Sequence, residues 1–429
     1  MQARANDILD AKYEPADIEA ILSTMTHLTN DERNQLRSLL YEFEDLLDGT
    51  LGDMTSDPVD IELKDGAKPY AGRPYSIPQA HLNLLKKEVE RLVQIGVLEQ
   101  CEPSEWAVPS FAVPKKNNQI RFVTDMRAIN ARIKRKPFPL PKINSLLQTI
   151  GKFDYASALD LNSGYYTIRL TPDASNICTI VMPFGHFRYK RMPMGLATAT
   201  DHFQHKMSKL MQDLEFVRVY LDDLLIVSNN GFTNHISKLR QVFTKLREAN
   251  LKINGPKCDF AVKELEYLGF IVSTHGIRPS LKKIEAIKNL KSPTTMKQLK
   301  SFLGMVTYYR DTWQHRSHIL APLTELLKKN AGSKKKLLWT NTHEQAFQAA
   351  KDAISKDVLL THPNFSKKFT IHTDASDRQL GSVISQDGKP IAFYSRKLSN
   401  TQRNYSVGER EINRRNSQRV QTNFIRSRN

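Results

Sequence analysis

Asp222 and Asp223 stand side by side in EFVRVYLDDLLIVSNN, with Val217, Val219 and Leu221 before them and Leu224, Ile226 and Val227 after. Two apolar runs meeting at a pair of acids describe a buried β-hairpin whose turn presents two carboxylates. Ionised groups at the junction of buried strands are costly unless a cation compensates them. An isolated Asp-Asp is most often only a turn sequence, because aspartate suits turns. A third acid changes that balance. Asp160 lies upstream in FDYASALDLNSGYYTIRL, between Leu159 and Leu161 at the end of an apolar run and just before Asn-Ser-Gly. Hard divalent cations need oxygen ligands that converge from separate strands, with room for phosphates. Paired ions roughly 3.5–4 Å apart can activate an attacking hydroxyl and stabilise a leaving pyrophosphate.

Other elements must hold these acids in place. RMPMGLATATDHFQHKMSKLMQDL lies between them, where Gly195 permits a close backbone approach and Asp201 with Gln204 has capping-box spacing. Phe203, Met207, Leu210, Met211 and Leu214 then form the buried face of a helix. Near the start, LTNDERNQLRSLLYEFEDLL predicts a helix capped by Thr29 or Asn30, with Leu36, Leu39, Leu40, Phe43 and Leu47 inward. VDIEL alternates like a short strand, and residues 66–80, rich in Pro and Gly, should run extended. HLNLLKKEVERLVQIGVL restores a helix. Strand-like and helical runs alternate from 107 to 228, which predicts an α+β core. Residues 232–330 read as mostly helical, broken by a strand pair around LEYLGFIVSTHGIRP. FTIHTD, LGSVISQ and IAFYSR read as strands, with Asp387-Gly388 as a tight hairpin turn between the last two.

Charge is unevenly spread. The net charge is +18, yet residues 1–65 hold 16 Asp/Glu against 5 Lys/Arg, leaving 58 Lys/Arg against 29 Asp/Glu in the rest. A basic body of that size attracts phosphate backbones by counterion release. Charge alone does not separate this from a generally basic protein, so the motifs decide. Cys101, Cys178 and Cys258 form no CxxC pair, which points away from structural zinc and towards a reducing compartment. No apolar run approaches the ~20 residues of a membrane span, and residues 1–20 have no signal-peptide pattern. The expectation is a protein without a membrane partner.

The series FVTDMRAIN, ALDLNSGYY, MPFGHFRYKRMPMGLATATDHFQ, VYLDDLLIVS, LKINGPKCDF and YLGFIVSTHGIRP resembles the pol polyprotein of gypsy-type long-terminal-repeat retrotransposons. The similarity runs from DGAKPY near residue 65 to GERE at 408–411, with MKQLKSFLGMVTYYR and FTIHTDASDRQLGSVISQ continuing it beyond the core motifs. The resemblance implies an α+β right-hand polymerase of fingers, palm and thumb, then a connection region and a truncated ribonuclease H-like α/β domain. On that pattern residues 1–65 are an acidic leader, 66–235 fingers and palm, 236–310 thumb, 311–365 connection, 366–412 partial ribonuclease H-like domain and 413–429 a divergent basic tail.

It also implies roles, residue by residue. Asp160 and Asp222 would be metal ligands with Asp223 supporting them, holding two Mg²⁺ ions for which Mn²⁺ can substitute. Lys115 and Arg121 would clamp the triphosphate, and Met194 and Gly195 would belong to the nucleotide site. Tyr165 matches the sugar gate, whose ring clashes with a ribose 2′-hydroxyl and so favours deoxynucleotides. Lys257 would protonate the leaving pyrophosphate, with Lys252 and Lys263 close by in sequence. The chain departs from the usual Asn-Ala-Pro by having Thr198-Ala199-Thr200, which puts the positioning of the template base in question. The implied partners are an RNA or DNA template–primer, dNTPs and other pol or gag products of the element. The implied location is cytoplasmic, in virus-like particles, with nuclear access for the element. The oligomeric state stays open. Two rivals are an RNA-templated RNA polymerase, opposed by Tyr165, and a decayed or domesticated element that binds nucleic acid without catalysis.

Asp374, ending FTIHTD, and Glu411, after a Ser406-x-x-Glu409 capping box, match two ribonuclease H carboxylates. No Asp or Glu follows Glu411; residues 413–429 carry five Arg and four Asn instead. The expectation is a vestigial ribonuclease H site without activity.

Overall fold

The computed structural model of the chain describes residues 15–114, 120–329, 337–356, 358–375 and 379–399. They fall into two compact units, one running to residue 141 and over 154–262, the other comprising 142–153 and 263 onward.

The first unit holds strands β1 (Leu98–Cys101), β2 (Val108–Pro114), β3 (Ile120–Thr124), β4 (Tyr155–Asp160), β5 (Thr179–Met182), β6 (Gly185–Tyr189), β7 (Val217–Tyr220), β8 (Asp223–Ser228) and β9 (Asp259–Val262). They make two sheets, ordered β1–β6–β5–β2–β3 and β7–β8–β4–β9. Its helices of eight or more residues are α1 (Asn30–Glu42), α2 (Gln79–Gln94), α3 (Ala199–Leu210) and α4 (Gly231–Glu248). Residues 236–262, assigned from sequence to the thumb, pack here with the second sheet. VDIEL makes only isolated bridges, at Val59 and Leu63, and not a strand.

β4 lies between β8 and β9, so it is buried from Ala156 to Asp160. Its small residues Ala156, Ser157 and Ala158 leave room for α4 to lie over it. From α4, fully buried His235 reaches between two strands. Its Nε2 is 2.8 Å from Oγ of Ser157 and its Nδ1 is 2.8 Å from Oγ of Ser228. Ser228 donates to the Tyr155 carbonyl at 3.4 Å, and the Ala261 N–H donates to Ser157 at 2.8 Å. A proton on Nδ1 satisfies every member: His235 donates to Ser228, and Ser157 donates to Nε2.

Burial pushes the His235 imidazole down to about 3 from 6.5. The folded state therefore excludes a proton that the unfolded chain binds. That stability is present above pH 6.5 and is lost as pH falls towards 3. At about 1.4 kcal/mol per unit, the first unit should lose roughly 2 kcal/mol between pH 7 and pH 5. Denaturant midpoints across that range should fall for the native chain and flatten in His235→Gln, which does not titrate. Equal slopes in the two proteins would refute this.

The acidic segment packs into the core of the first unit. Thr29 caps α1 with the full capping box to Glu32, and Leu36, Leu39 and Leu40 are fully buried. Phe43 meets Phe243 of α4 edge to face at 5.4 Å. Glu42 pairs with Arg240, Asp45 with Arg247, and Asp48 with Lys252 at 2.8 Å. Part of the charge asymmetry is thus neutralised within the chain.

The second unit holds β10 (Glu264–Tyr267), β11 (Phe270–Ser273) and β12 (Gly276–Pro279) as one antiparallel sheet. LEYLGFIVSTHGIRP thus gives three strands where two were expected. A further antiparallel sheet comprises β13 (Thr370–Ala375), β14 (Gln379–Gln386) and β15 (Lys389–Lys397). Helices α5 (Leu281–Lys288), α6 (Met296–Tyr308), α7 (Ala321–Lys329) and α8 (Asn341–Ser355) belong to the same unit. Asp387 (φ 49°) and Gly388 (φ 75°) both take the left-handed conformation that a two-residue hairpin turn of this hand demands. Among the described residues no helix is long and apolar enough to cross a membrane.

Candidate active site

The β4–β8 register sets Asp160 directly opposite Asp223. β7 and β8 close on the pair Tyr220 and Asp223, leaving Leu221 and Asp222 as a two-residue turn. Leu221 takes φ +57°, a conformation costly for a branched side chain and typical of backbone held under constraint at a site. The Leu161 N–H reaches back to the Asp222 carbonyl at 3.4 Å. All three acids therefore gather at one end of the sheet. Asp160 is 9% exposed, while Asp222 and Asp223 are half-buried.

The backbone around Asp160 is fixed from the other side. Asn254 N–H donates to the Asp160 carbonyl at 2.9 Å, and Asn162 N–H donates to the Lys252 carbonyl at 2.9 Å. Sγ of Cys258 accepts from the Asp160 N–H at 3.5 Å. Among the described residues no three His, Cys, Asp or Glu side chains form a group able to hold a metal ion. The side chains gathered here are carboxylates, oxygen donors of the kind that a hard divalent cation takes.

α3 is the element that clamps the turn. The capping box expected between Asp201 and Gln204 does not form, since the helix starts at Ala199 with Thr198 as an N-cap that makes no side-chain bond. Long-range partners outcompete the local one. Asp201, 3% exposed, accepts from Arg135 at 2.7 and 3.1 Å and from the Phe138 N–H at 3.1 Å. Gln204, 1% exposed, accepts from the Leu221 N–H at 2.7 Å, so a glutamine on the helix holds the strained residue beside Asp222.

Tyr165 packs its ring against Phe203 of α3 with centroids 5.3 Å apart. Burial pushes its phenol up to about 12, with a smaller upward push from the Asp222 carboxylate. The phenol is therefore neutral near pH 7. Gly195, at φ +88°, accepts from Nδ2 of Asn130 at 2.8 Å, while Oδ1 of Asn130 accepts from the Ala197 N–H at 2.7 Å. Asn130 thereby pins the turn that carries Met194 and Gly195. A cleft of about 600 Å³ opens beside it, lined by Tyr75, Phe111, Val123, Asp125 and Met126 among others.

Arg121 sits on β3, paired across the hairpin with Val113. Lys115 lies outside the described residues. Lys257 is exposed on the turn that follows the segment running beside Asp160. Lys252 is committed elsewhere, donating to the Asp45 carbonyl at 2.6 Å and to Asp48 at 2.8 Å. Asp374 pairs with Gly381 in β13; its side chain, and all of Ser406, Glu409 and Glu411, lie outside what is described. Sequence reasoning passes over Asn130, and names Gln204 only as half of a capping box and Cys258 only as a cysteine without a CxxC partner. Only Gln204, polar beside the apolar stripe of α3, carried a local signal.

Residues 113–272 match the family described as reverse transcriptase (RNA-dependent DNA polymerase), and residues 339–413 match the RNase H-like domain found in reverse transcriptase. The chain is 33% identical over 397 residues to the Retrovirus-related Pol polyprotein from transposon 297 of Drosophila melanogaster, covering 90% of this chain and 37% of that protein. It is 32% identical over 418 residues to the Transposon Tf2-3 polyprotein of Schizosaccharomyces pombe, covering 94% of this chain and 31% of that one. It therefore spans about a third of the length of these relatives. The foamy viral protease-reverse transcriptase dRH solved in complex with ds DNA superposes with a TM-score of 0.87 at 22% identity, covering 96% of this chain and 73% of that one. The foamy viral protease-reverse transcriptase solved in complex with RNA/DNA hybrid gives 0.83 at 22% identity, over 95% and 56%. The fold is that of a polymerase followed by a ribonuclease H-like domain.

Proposed function

Since the chain belongs to the reverse transcriptases of gypsy-type long-terminal-repeat retrotransposon Pol polyproteins, we propose that it copies RNA into DNA by adding deoxynucleoside monophosphates to a primer 3′-end. The observation that carries this reading is the gathering of Asp160, Asp222 and Asp223 at one end of a sheet by the β4–β8 register and the Leu161–Asp222 bond. Asp160 and Asp222 would hold Mg²⁺, with Asp223 supporting them. When bound, the ions supply charge that activates the 3′-hydroxyl and offsets that of the departing pyrophosphate.

The chain's own groups do the rest. Arg121, with Lys115, neutralises the incoming triphosphate. The turn at Met194 and Gly195 brings backbone close to the nascent base pair. Tyr165 fills the space a ribose 2′-hydroxyl would need. Lys257 would give a proton to pyrophosphate. The basic residues beyond the acidic segment track the template–primer backbone without reading its sequence.

Primer extension on an RNA template, offered dNTPs or rNTPs and run beside a binding assay, tests the reading. Extension with dNTPs supports it. Preference for rNTPs would make the chain an RNA polymerase, and binding without extension would make it a decayed element. We further propose that these 429 residues by themselves leave the RNA strand of a hybrid intact, because Asp374 and Glu411 have no later acid in them to complete a two-metal site. RNA fragments released by the purified chain, and lost in Asp374→Asn, would overturn that.

A further inference from the structure

The strip of chain that fixes the Asp160 backbone, Lys252 to Gly255, is itself gripped on its far side. Towards the site, the Lys252 carbonyl accepts the Asn162 N–H and the Asn254 N–H donates to the Asp160 carbonyl, both at 2.9 Å. Ile253 is bridged to Leu161 between these two bonds. Successive backbone groups of an extended strip point to opposite sides, so the Ile253 N–H points away from the site. It donates to the Leu46 carbonyl of the acidic segment at 2.9 Å. Nζ of Lys252 reaches the same segment, donating to the Asp45 carbonyl at 2.6 Å and to Asp48 at 2.8 Å.

Gly255 closes this contact. A Cβ there would come within 2.8 Å of the Ala16 Cβ, 2.9 Å of Cδ2 of Leu47 and 3.0 Å of Cδ1 of Ile21. The ends of Leu47 and Ile21 can swing aside. The methyl of Ala16 cannot, and its backbone is tied down, because the Ala16 N–H donates to the Leu47 carbonyl at 2.9 Å. We propose that Gly255 is a positioning residue of the polymerase centre: it lets the strip lie flush on the acidic segment and so sets where Asn254 and Lys252 hold Asp160.

The physical reason is close packing. Carbon atoms rest about 3.5–4 Å apart, so a side chain at 255 moves the strip by roughly half an ångström or more. A dense interior passes such a shift on instead of absorbing it. The bonds to Asp160 and Asn162 are the next things the strip holds. On this account the acidic segment is a working part of the polymerase. Gly255 touches no substrate and acts through Asp160, so the inference rests on the proposed function.

Gly255→Ala in the full chain should lower kcat for dNTP addition about tenfold. KM for the dNTP should hold, since Arg121 stands on β3, away from the strip. In the metal-free chain, hydrogen exchange at the Asn162 and Asn254 amides should quicken about tenfold. Gly255→Ala combined with Ala16→Gly removes the opposing methyl and should restore both rate and protection. Asp48→Asn loosens the same grip without added bulk: it can keep its bonds to Thr50 while turning an N–H towards Lys252. Exchange at the two amides should then quicken roughly threefold.

A native rate and native exchange in Gly255→Ala would refute the proposal. So would losses that Ala16→Gly does not restore, because the cause would then lie outside the contact with the acidic segment. Should Gly255→Ala fail to fold, unchanged exchange in Asp48→Asn refutes it alone. If Asp222→Asn is inactive while Gly255→Ala keeps its full rate, the positioning role fails and the proposed function stands. If Asp222→Asn is as active as the native chain, the proposed function fails, and the positioning role with it.

Discussion

Asp222→Asn is expected to abolish nucleotide addition, by roughly three orders of magnitude or more in single-turnover primer extension, while the chain stays folded. Asparagine keeps the shape of aspartate and is equally at home in a turn. The bond that ties this turn to Leu161 uses the Asp222 backbone carbonyl, so it survives the change. What is lost is one negative charge where, on the proposed reading, a divalent cation is held. Three acids gathered at one sheet end repel each other in the free protein, so the melting midpoint should hold or rise. Asp160→Asn should cost as much. Asp223→Asn should cost less, because Asp223 backs the pair as the closing residue of the hairpin opposite Tyr220. Activity within tenfold of wild type in Asp222→Asn would remove the basis for a polymerase site here.

Gln204→Leu should lower the rate of nucleotide addition by about 10²-fold, although Gln204 stands on a helix and contributes no charge. Its Oε1 accepts the Leu221 N–H at 2.7 Å, and Leu221 holds φ +57°. Leucine has nearly the same volume and no acceptor. The variant leaves a backbone donor unsatisfied next to a residue already in a costly conformation, a stability penalty of about 1–3 kcal/mol. The turn relieves it by rotating out of the left-handed region, and rotation there re-aims Asp222. A displacement of about 1 Å at a proposed metal ligand is enough for the predicted loss. Melting curves and extension rates measured together separate the cases. A rate close to wild type alongside a lowered midpoint would mean that Gln204 supports the fold and not the site.

Much of this was legible beforehand because it is local. Apolar runs on both sides of Asp222-Asp223 announced the hairpin, and Asp160 announced the end of its own strand. Thr29 and Glu32 announced the start of α1 with a reciprocal cap, and Asp387-Gly388 announced a turn that needs two positive φ angles. Such features follow from periods of 2 and 3.6 residues and from turn chemistry, which a linear string contains.

The partner chosen by a polar side chain is another matter. Asp201 and Gln204 have the spacing to satisfy each other's helix, yet Asp201 goes to Arg135 and Gln204 to Leu221. The acidic segment reads as a leader before the polymerase, and in the structure it closes over α4 through Phe43 and the pairs Glu42–Arg240 and Asp45–Arg247. Residue types at the site, the order of its motifs and the hairpin that presents two acids are all readable in the linear chain. That Asp160 faces Asp223 and that Gln204 clamps Leu221 follows from the tertiary fold alone. The physical reason is that a buried hydrogen-bonding group must be satisfied by whatever the fold brings within reach, and what comes within reach is set by packing between segments distant in sequence.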